Sequence, residues 1–308
     1  MKKVSIIMPN YNHAPFLRER LDSIFAQDYA NKEVILLDDA STDESKTVIN
    51  EYAVRPEVKH VILNDANSGN TFIQWEKGLS LATGDYIWIA ESDDVADSRL
   101  VSRLVGVLEQ SDAMIAFAHS EWIDEVGTII PRNHDKQWKS DFVMEGVSFI
   151  KKYLLGYSHI CNASAVLFRR SALGGVNMEQ VKQYTASGDR LFWIALALQG
   201  KVAYVADTLS RFRQHTNKVS GGAEYEGRNI IQDHAIYTHV APRLSMSRCE
   251  QRMVCGYHWQ AIHRSTVSAL GREKAMGVWN AEPLFGWLSW GMYMLCRLKD
   301  KVGLGFRV

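Results

Sequence analysis

Three segments of this sequence place acids or an aromatic ring directly after a short run of apolar, branched side chains. Residues 4–8 lead into Pro9-Asn10-Tyr11-Asn12. Residues 34–37 lead into Asp38-Asp39-Ala40-Ser41-Thr42-Asp43, and residues 86–90 into Glu91-Ser92-Asp93-Asp94. Such runs read as strands, and a fully apolar one as a strand buried on both faces. In open α/β sheets, ligands sit beyond the carboxyl ends of the strands. A ring, two acids and three acids therefore converge on one sheet edge. Like charges held together raise each other's pKa, and a divalent cation relieves that repulsion. Oxygen ligands suit Mg2+ or Mn2+, which are commonly held by one or two carboxylates and phosphate oxygens. The pattern predicts a metal-assisted site for a phosphorylated ligand. The sequence has neither the G-x-x-x-x-G-K-S/T phosphate loop nor the G-x-G-x-x-G fingerprint, so kinase-like and dinucleotide readings have no support.

The elements that must carry these residues follow from hydrophobic periodicity. Phe16, Leu17, Leu21, Ile24 and Phe25 recur at helical spacing. Further helices are predicted over 45–52 and 71–82, the latter stopped by Gly84. Ser98 suits the N-cap of a helix bearing Leu100, Val101, Leu104, Val105 and Leu108. Strands are also expected at 60–63 and 114–118. This alternation argues an α/β domain with a mostly parallel sheet. Residues 121–225 are mixed, with strands at 166–168, 202–205 and 209–212 and helices at 149–155 and 189–199. From Glu224 the pattern is helical, interrupted at Pro242 and near Gly271.

Composition narrows the class. The 308 residues hold 35 Lys+Arg and 35 Asp+Glu, a net charge of zero. No global basic field exists to attract nucleic acid. Four cysteines without zinc-finger spacing read as reduced core residues. Two lysines before a short apolar run resemble a signal peptide, but Pro9 ends the run too early, so a first strand and a cytosolic protein are expected. No stretch of about 20 apolar residues is present to span a membrane. From residue 242 onward there are ten Lys/Arg against four Asp/Glu, an excess of six positive charges. Within this region 284–295 carries Phe285, Trp287, Leu288, Trp290, Tyr293 and Leu295, followed by Arg297, Lys299 and Lys301. That segment suits a helix lying on anionic lipid, and equally one packed on protein or in a homodimer.

The ordered motifs V-S-I-I-M-P-x-Y-N, D-D-A-S-T-D, N-x-G and G-D-Y-I-W-I-A-E-S-D-D resemble the family 2 glycosyltransferases of the GT-A fold. The resemblance is strong over about residues 1–120 and continues through S-G-D-R-L-F-W (187–193) and F-R-Q-H-T (212–216). It implies a Rossmann-type, mostly parallel sheet flanked by helices, with the catalytic domain at 1–222 and a helical C-terminal region at 223–308. The nucleotide-sugar half would be about 1–120 and the acceptor half 121–222. Pro9, Tyr11 and Asp39 would line the base pocket, with Asp38 supporting the loop. Asn67 and Gly69 of N-x-G, together with Lys77, join the nucleotide-sugar site. Glu91, Asp93 and Asp94 occupy the segment that binds ribose and the metal on the diphosphate. Asp93, Asp94 and His215 are the expected ligands of Mn2+ or Mg2+. Asp189 matches the general base. The implied reaction is inverting transfer from a nucleoside-diphosphate sugar (UDP or dTDP favoured over GDP) to a hydroxyl of a glycan or lipid-linked acceptor. Its expected setting is bacterial surface-polysaccharide synthesis, in the cytoplasm or peripherally on the inner membrane face.

The sequence departs from the family pattern at two places: Glu91 replaces an Asp, and 71–78 reads T-F-I-Q-W-E-K-G. Structural readings compete at each site, since Asp38 and Asp39 can cap a turn, Asp93 and Asp94 can favour a helix dipole, and Asp189 sits at a helix start. Two rival functions are a nucleotidyltransferase that makes sugar nucleotides and a non-catalytic scaffold that binds them.

Overall fold

A computed structural model describes residues 1–131, 138–215, 219–264 and 266–301. The apolar runs form strands β1 (Val4–Asn10), β2 (Lys32–Asp38), β3 (Val58–Leu63), β4 (Tyr86–Ile89), β5 (Val95–Ala96), β6 (Ile115–Ile123), β7 (Phe142–Glu145), β8 (Val166–Arg169) and β9 (Lys201–Arg213). Among the described residues they make one nine-stranded sheet, in the order β3-β2-β1-β4-β8-β6-β9-β5, with β7 also on β9. β1, β2, β3 and β4 run parallel, as do β6 and β9, whereas β8, β5 and β7 pair antiparallel to their neighbours. This is a mostly parallel α/β sheet flanked by helices, as the alternation predicts. Every residue of β1 and β4 is buried, because helices cover both faces of a parallel sheet.

Register levels the site. Asn10 pairs with Asp38 and Asp38 with Leu63, while Ile7 pairs with Ile89. The loops after β1, β2 and β4 therefore leave one edge together. The two residues of β5 are too short to show periodicity, and the sequence reading missed them. They pair Val95 with Arg211 and Ala96 with Ser210. That pairing carries Asp93 and Asp94 back along β9 toward Arg213 and His215. β9 itself joins the two strands expected at 202–205 and 209–212, and the register against β6 shifts near His119 to let it continue. β7 was also unforeseen.

Ser98 does not cap the helix Leu100–Ser111. Arg99 occupies the N-cap without a side-chain cap. Asp97 Oδ1 accepts from the Arg99 N–H at 2.9 Å, and Gln27 Oε1 from the Val101 N–H at 3.0 Å. A distant side chain thus satisfies an orphan helix donor that local sequence assigned to serine.

The chain divides into two units: Met1–Gly146 with Ile160–His215, and Val147–His159 with the residues from Thr216 onward. The second includes a segment expected in the acceptor half. His258 explains the assignment, since its Nε2 meets the Leu155 carbonyl at 3.0 Å. The second unit is built from the helices Arg228–Val240, Arg248–Ile262, Ala269–Trp279 and Trp287–Lys301. Buried Trp279 lies at its centre, stacked on His258 with ring centroids 4.1 Å apart. Of the four cysteines only Cys255 is buried, and Cys161 and Cys249 are exposed, so the core reading holds for one of them. No helix among the described residues is long and apolar enough to cross a membrane.

Candidate active site

The loop after β2 spends its first acid on itself. Asp38 accepts from Asn10 Nδ2 (2.8 Å), the Ser41 N–H (2.9 Å) and Ser41 Oγ (2.6 Å). The next residues, Asp39 and Ala40, turn the chain, and Ala40 takes a left-handed φ of 63°. Asn12 does the same in the neighbouring loop, at φ 54°, and its Oδ1 accepts from the Thr42 N–H at 2.8 Å. Non-glycine residues in this region store backbone strain, which tends to cluster at functional sites. Asp39 is presented by this turn. Its carboxylate accepts from Asn64 Nδ2 (2.7 Å), the Ser68 N–H (3.0 Å), Ser68 Oγ (2.6 Å) and Gln74 Nε2 (2.8 Å). Lys77 reaches the same group indirectly, donating to Asn64 Oδ1 at 2.5 Å. Asn67 Oδ1 accepts from the Gly69 N–H at 2.5 Å, and Gly69 has φ +69°. These two residues form the turn beside Ser68. Pro9 is buried near the end of β1, whereas the Tyr11 ring is exposed.

The acids after β4 are divided between two tasks. Asp94 is buried and turned inward, with one oxygen 3.0 Å from Asn162 Nδ2 and the other 3.0 Å from the Arg213 N–H. Asp93 faces His215, whose Nε2 lies 3.1 Å from its Oδ2. His13 joins them. Its ring meets that of His215 edge-on, with centroids 5.2 Å apart, and its Nδ1 is 2.8 Å from Ser92 Oγ. One ligand atom from each of His13, Asp93 and His215 lies within 4.8 Å of the other two. Two ring nitrogens and a carboxylate oxygen suit a divalent first-row metal, and the group differs from the expected ligands Asp93, Asp94 and His215 in holding His13 instead of Asp94. The structure does not bring Asp94 into this group. His13 directly follows the first motif and was given no role by the sequence reading. The signal was its position, directly after the β1 loop. It is the N-cap residue of the helix Ala14–Phe25, yet its side chain makes no cap bond. Asp43 Oδ2 accepts from the Ala14 N–H at 2.9 Å instead, which leaves the imidazole to the site.

Electrostatics match this division. Burial pushes the His13 imidazole below its ordinary value, with Asp93 opposing, so the ring favours the neutral form a metal ligand needs. Burial would raise the Asp93 carboxyl, but the hydrogen bond from His215 and the facing imidazoles outweigh it and hold the group below its ordinary range. Glu91 moves the other way: burial, then the charge of Asp93, push it up to about 8. Beneath the acids lies Arg20, fully buried against the Trp88 ring at 4.8 Å. Burial pulls its guanidinium down to about 10, while Asp94, Asp93 and Glu91 favour its charge. A protein cation therefore supplies part of the compensation that the sequence alone assigned to metal.

The two departures from the family pattern meet in space. The helix Thr71–Leu81 directs Gln74 to Asp39, Lys77 to Asn64 and Trp75 to Glu91, with the Trp75 Nε1–H donating to Oε1 at 2.8 Å. The same indole contacts Phe192 and Trp193 at ring separations of 5.4 and 5.8 Å. Those residues belong to the helix Gly188–Ala197, which carries Asp189 in its first turn. A Cβ on Gly188 would lie 2.5 Å from the Phe72 ring, so glycine permits the close approach of these two helices. Burial raises the Asp189 carboxyl above its ordinary value, and its Oδ1 accepts from the Arg190 N–H at 2.8 Å. Asn162 and Ser164 were given no role by the sequence reading. Ser164 Oγ in fact accepts from the Glu91 N–H at 3.1 Å, and Asn162 fixes Asp94.

The family model for glycosyl transferase family 2 matches residues 5–175, more than half of the chain, and the chain belongs to that family. Solved structures of the GT-A type share its fold. It aligns with S. aureus TarS 1-349 in complex with UDP-GlcNAc at TM-score 0.58 and 16% identity, covering 99% of this chain and 93% of that one. The mannosyltransferase PcManGT from Pyrobaculum calidifontis, in complex with GDP-Man and Mn2+, aligns at TM-score 0.57 and 17% identity, covering 99% and 81%. Among curated proteins, the glycosyltransferase GlyG of Streptococcus pneumoniae serotype 4 is 31% identical over 122 residues, 40% of each chain. The putative teichuronic acid biosynthesis glycosyltransferase TuaG of Bacillus subtilis is 26% identical over 219 residues, 70% of this chain and 81% of TuaG. The match to an uncharacterised Nostoc glycosyltransferase, like that to GlyG, spans about two fifths of the relative's length.

Proposed function

We propose that this chain transfers one sugar from a nucleoside-diphosphate sugar to a hydroxyl of a glycan or lipid-linked acceptor, with inversion. The observation that carries this reading is the meeting of His13, Asp93 and His215 at the strand edge that also presents Asp39. Family membership supports it, as do the UDP-GlcNAc and GDP-Man complexes of proteins that share the fold. Asp39 would read the base through an N–H, which favours UDP or dTDP. Pro9, Tyr11, Asn67, Gly69 and Lys77 would complete the nucleotide pocket, and Glu91 would contact the ribose. Asp93 and His215, with His13, would hold Mn2+ or Mg2+, and Asp94 would set the end of β9 beside them. When bound, that metal would supply Lewis-acid stabilisation of the diphosphate leaving group. Asp189 takes the proton from the acceptor hydroxyl as its oxygen attacks the anomeric carbon, and the bond from that carbon to the phosphate oxygen breaks. The expected setting is surface-polysaccharide synthesis on the cytoplasmic side of a bacterial membrane.

The test pairs binding with turnover. UDP, dTDP, GDP and CMP are each added with and without Mn2+, and the melting temperature is followed, since a ligand of the folded state raises it by mass action. A metal-dependent rise with one nucleoside diphosphate is expected. Asp189→Asn should then keep that rise while turnover falls on the order of 10²–10⁴-fold. The raised Asp189 carboxyl adds a sign: activity is lost as pH falls, with the acid limb above the ordinary aspartate range. Normal turnover in the variant would sink the base assignment. Pyrophosphate release would identify a nucleotidyltransferase, and nucleotide binding with neither donor hydrolysis nor transfer a scaffold.

A further inference from the structure

The helix Trp287–Lys301 is apolar on the wrong side. Trp287 is 68% exposed, Leu288 66% and Leu295 61%, and Trp290 and Leu298 are exposed as well. At 100° per residue these five fall within an arc of about 160°. Its opposite face is turned inward: Ser289 and Tyr293 are buried, and Ser289 Oγ donates to the Leu284 carbonyl at 2.5 Å. A surface helix ordinarily turns its apolar stripe to the core. This one does not, and it is not free to roll over. A Cβ on Gly256 of the helix Arg248–Ile262 would lie 2.3 Å from the Ser289 carbonyl oxygen and 2.7 Å from the Tyr293 Cβ. Backbone-close docking through Gly256 locks this face inward and holds the tryptophans and leucines outward.

We infer that this outer face is a membrane-surface contact, seated in the headgroup layer of an anionic bilayer. Large contiguous patches of exposed apolar side chains mark interaction sites. Paired tryptophans beside leucines suit the water–lipid boundary, where an apolar ring carries a polar N–H. The 15-residue helix is too short to span a bilayer, so it lies along the surface. Charge selects the lipid. Arg297, near the C-terminal end of the helix, lies over the Tyr293 ring, and Lys299 and Lys301 follow it in sequence against a single acid, Asp300. The region from residue 242 carries six excess positive charges in a chain of net charge zero. Clustered basic residues beside an apolar face attract anionic headgroups, and salt weakens that attraction.

The test needs no sugar transfer, so its outcome is separate from that of the proposed reaction. The whole chain is sedimented with vesicles of phosphatidylcholine alone or with one third phosphatidylglycerol. Binding to the anionic vesicles should exceed binding to the neutral ones at least tenfold and fall with added salt. Trp287→Ser with Trp290→Ser should lose at least tenfold in affinity. Both rings are exposed, so an unchanged melting temperature is the control for folding. Arg297→Gln with Lys299→Gln should abolish the preference for anionic lipid. Failure to sediment with either vesicle at low salt overturns the inference, and so does binding indifferent to the tryptophans. A dimer in solution that the double tryptophan variant dissolves, without vesicle binding, assigns the face to a second copy and overturns it too.

Discussion

His13 shows how much a single residue's role depends on what its neighbours do for it. An N-cap residue normally turns its side chain to the helix it begins. Here Asp43, from another loop, bonds the Ala14 N–H, and the imidazole instead faces Asp93 and His215. The consequence is measurable without turnover. His13→Ala should weaken Mn2+ binding about 10–100-fold, read as free Mn2+ by electron paramagnetic resonance. Unchanged affinity would confine the metal to Asp93 and His215. Asp93, Asp39, Asp189 and His215 were all legible as candidates because motif order marks them. His13 was not, since nothing local says that its capping duty is done elsewhere. Glu91 and Asp94 illustrate the converse. Sequence gives the acids, but only the fold shows that Asp94 is spent on Asn162 and the Arg213 backbone.

At the level of elements, one helix links the nucleotide edge to the proposed base. The helix Thr71–Leu81 sends Gln74 and Trp75 toward Asp39 and Glu91, and its Phe72 ring rests on Gly188. Gly188→Ala would drive a methyl into that buried ring. It should destabilise the fold by about 1–3 kcal/mol. It should also lower turnover more than nucleotide affinity, because the start of the helix Gly188–Ala197 must shift and Asp189 with it. Thermal unfolding and a comparison of kcat with nucleotide binding check both. The helices themselves were readable from periodicity. Their contact was not, because a glycine chosen for closeness looks in sequence like any helix-start glycine. The same limit hid β5, whose two residues matter only through their partner, β9.

Across the whole sheet of the first unit, the two ends of the strands do different work. The carboxyl ends collect strained loops and the acids of the site. The opposite end collects satisfied polar groups. There, buried Glu33 of β2 accepts from Lys3 Nζ (2.5 Å), Ser5 Oγ (2.6 Å) and the Thr83 N–H (2.8 Å), tying the starts of β1, β2 and β4 together. Burial would raise this carboxyl, but the bonds from Lys3, Ser5 and Thr83 prevail and hold it at about 2 instead of 4.5. A depressed acid stabilises the fold above its unfolded value and loses that contribution as pH falls through its folded value. The shift corresponds to about 3 kcal/mol. Urea unfolding should therefore show Glu33→Gln less stable than the parent at pH 7, with the gap closing between about pH 4.5 and about pH 2. A constant gap would mean that the charge is not what binds the strands.

Asp39 enters any encounter with a nucleotide already served. Four donors from its own chain occupy its oxygens, from Asn64, Ser68 and Gln74. Under the proposed donor site, a base N–H arriving there makes a trade: one partner is surrendered as another is won. The heat of that exchange should be small, and the pocket's discrimination should come from bases that displace a donor without replacing it. A spent nucleotide is then let go as readily as a fresh one is taken, since the chain closes the gap behind it. Such a site gives up grip and gains traffic.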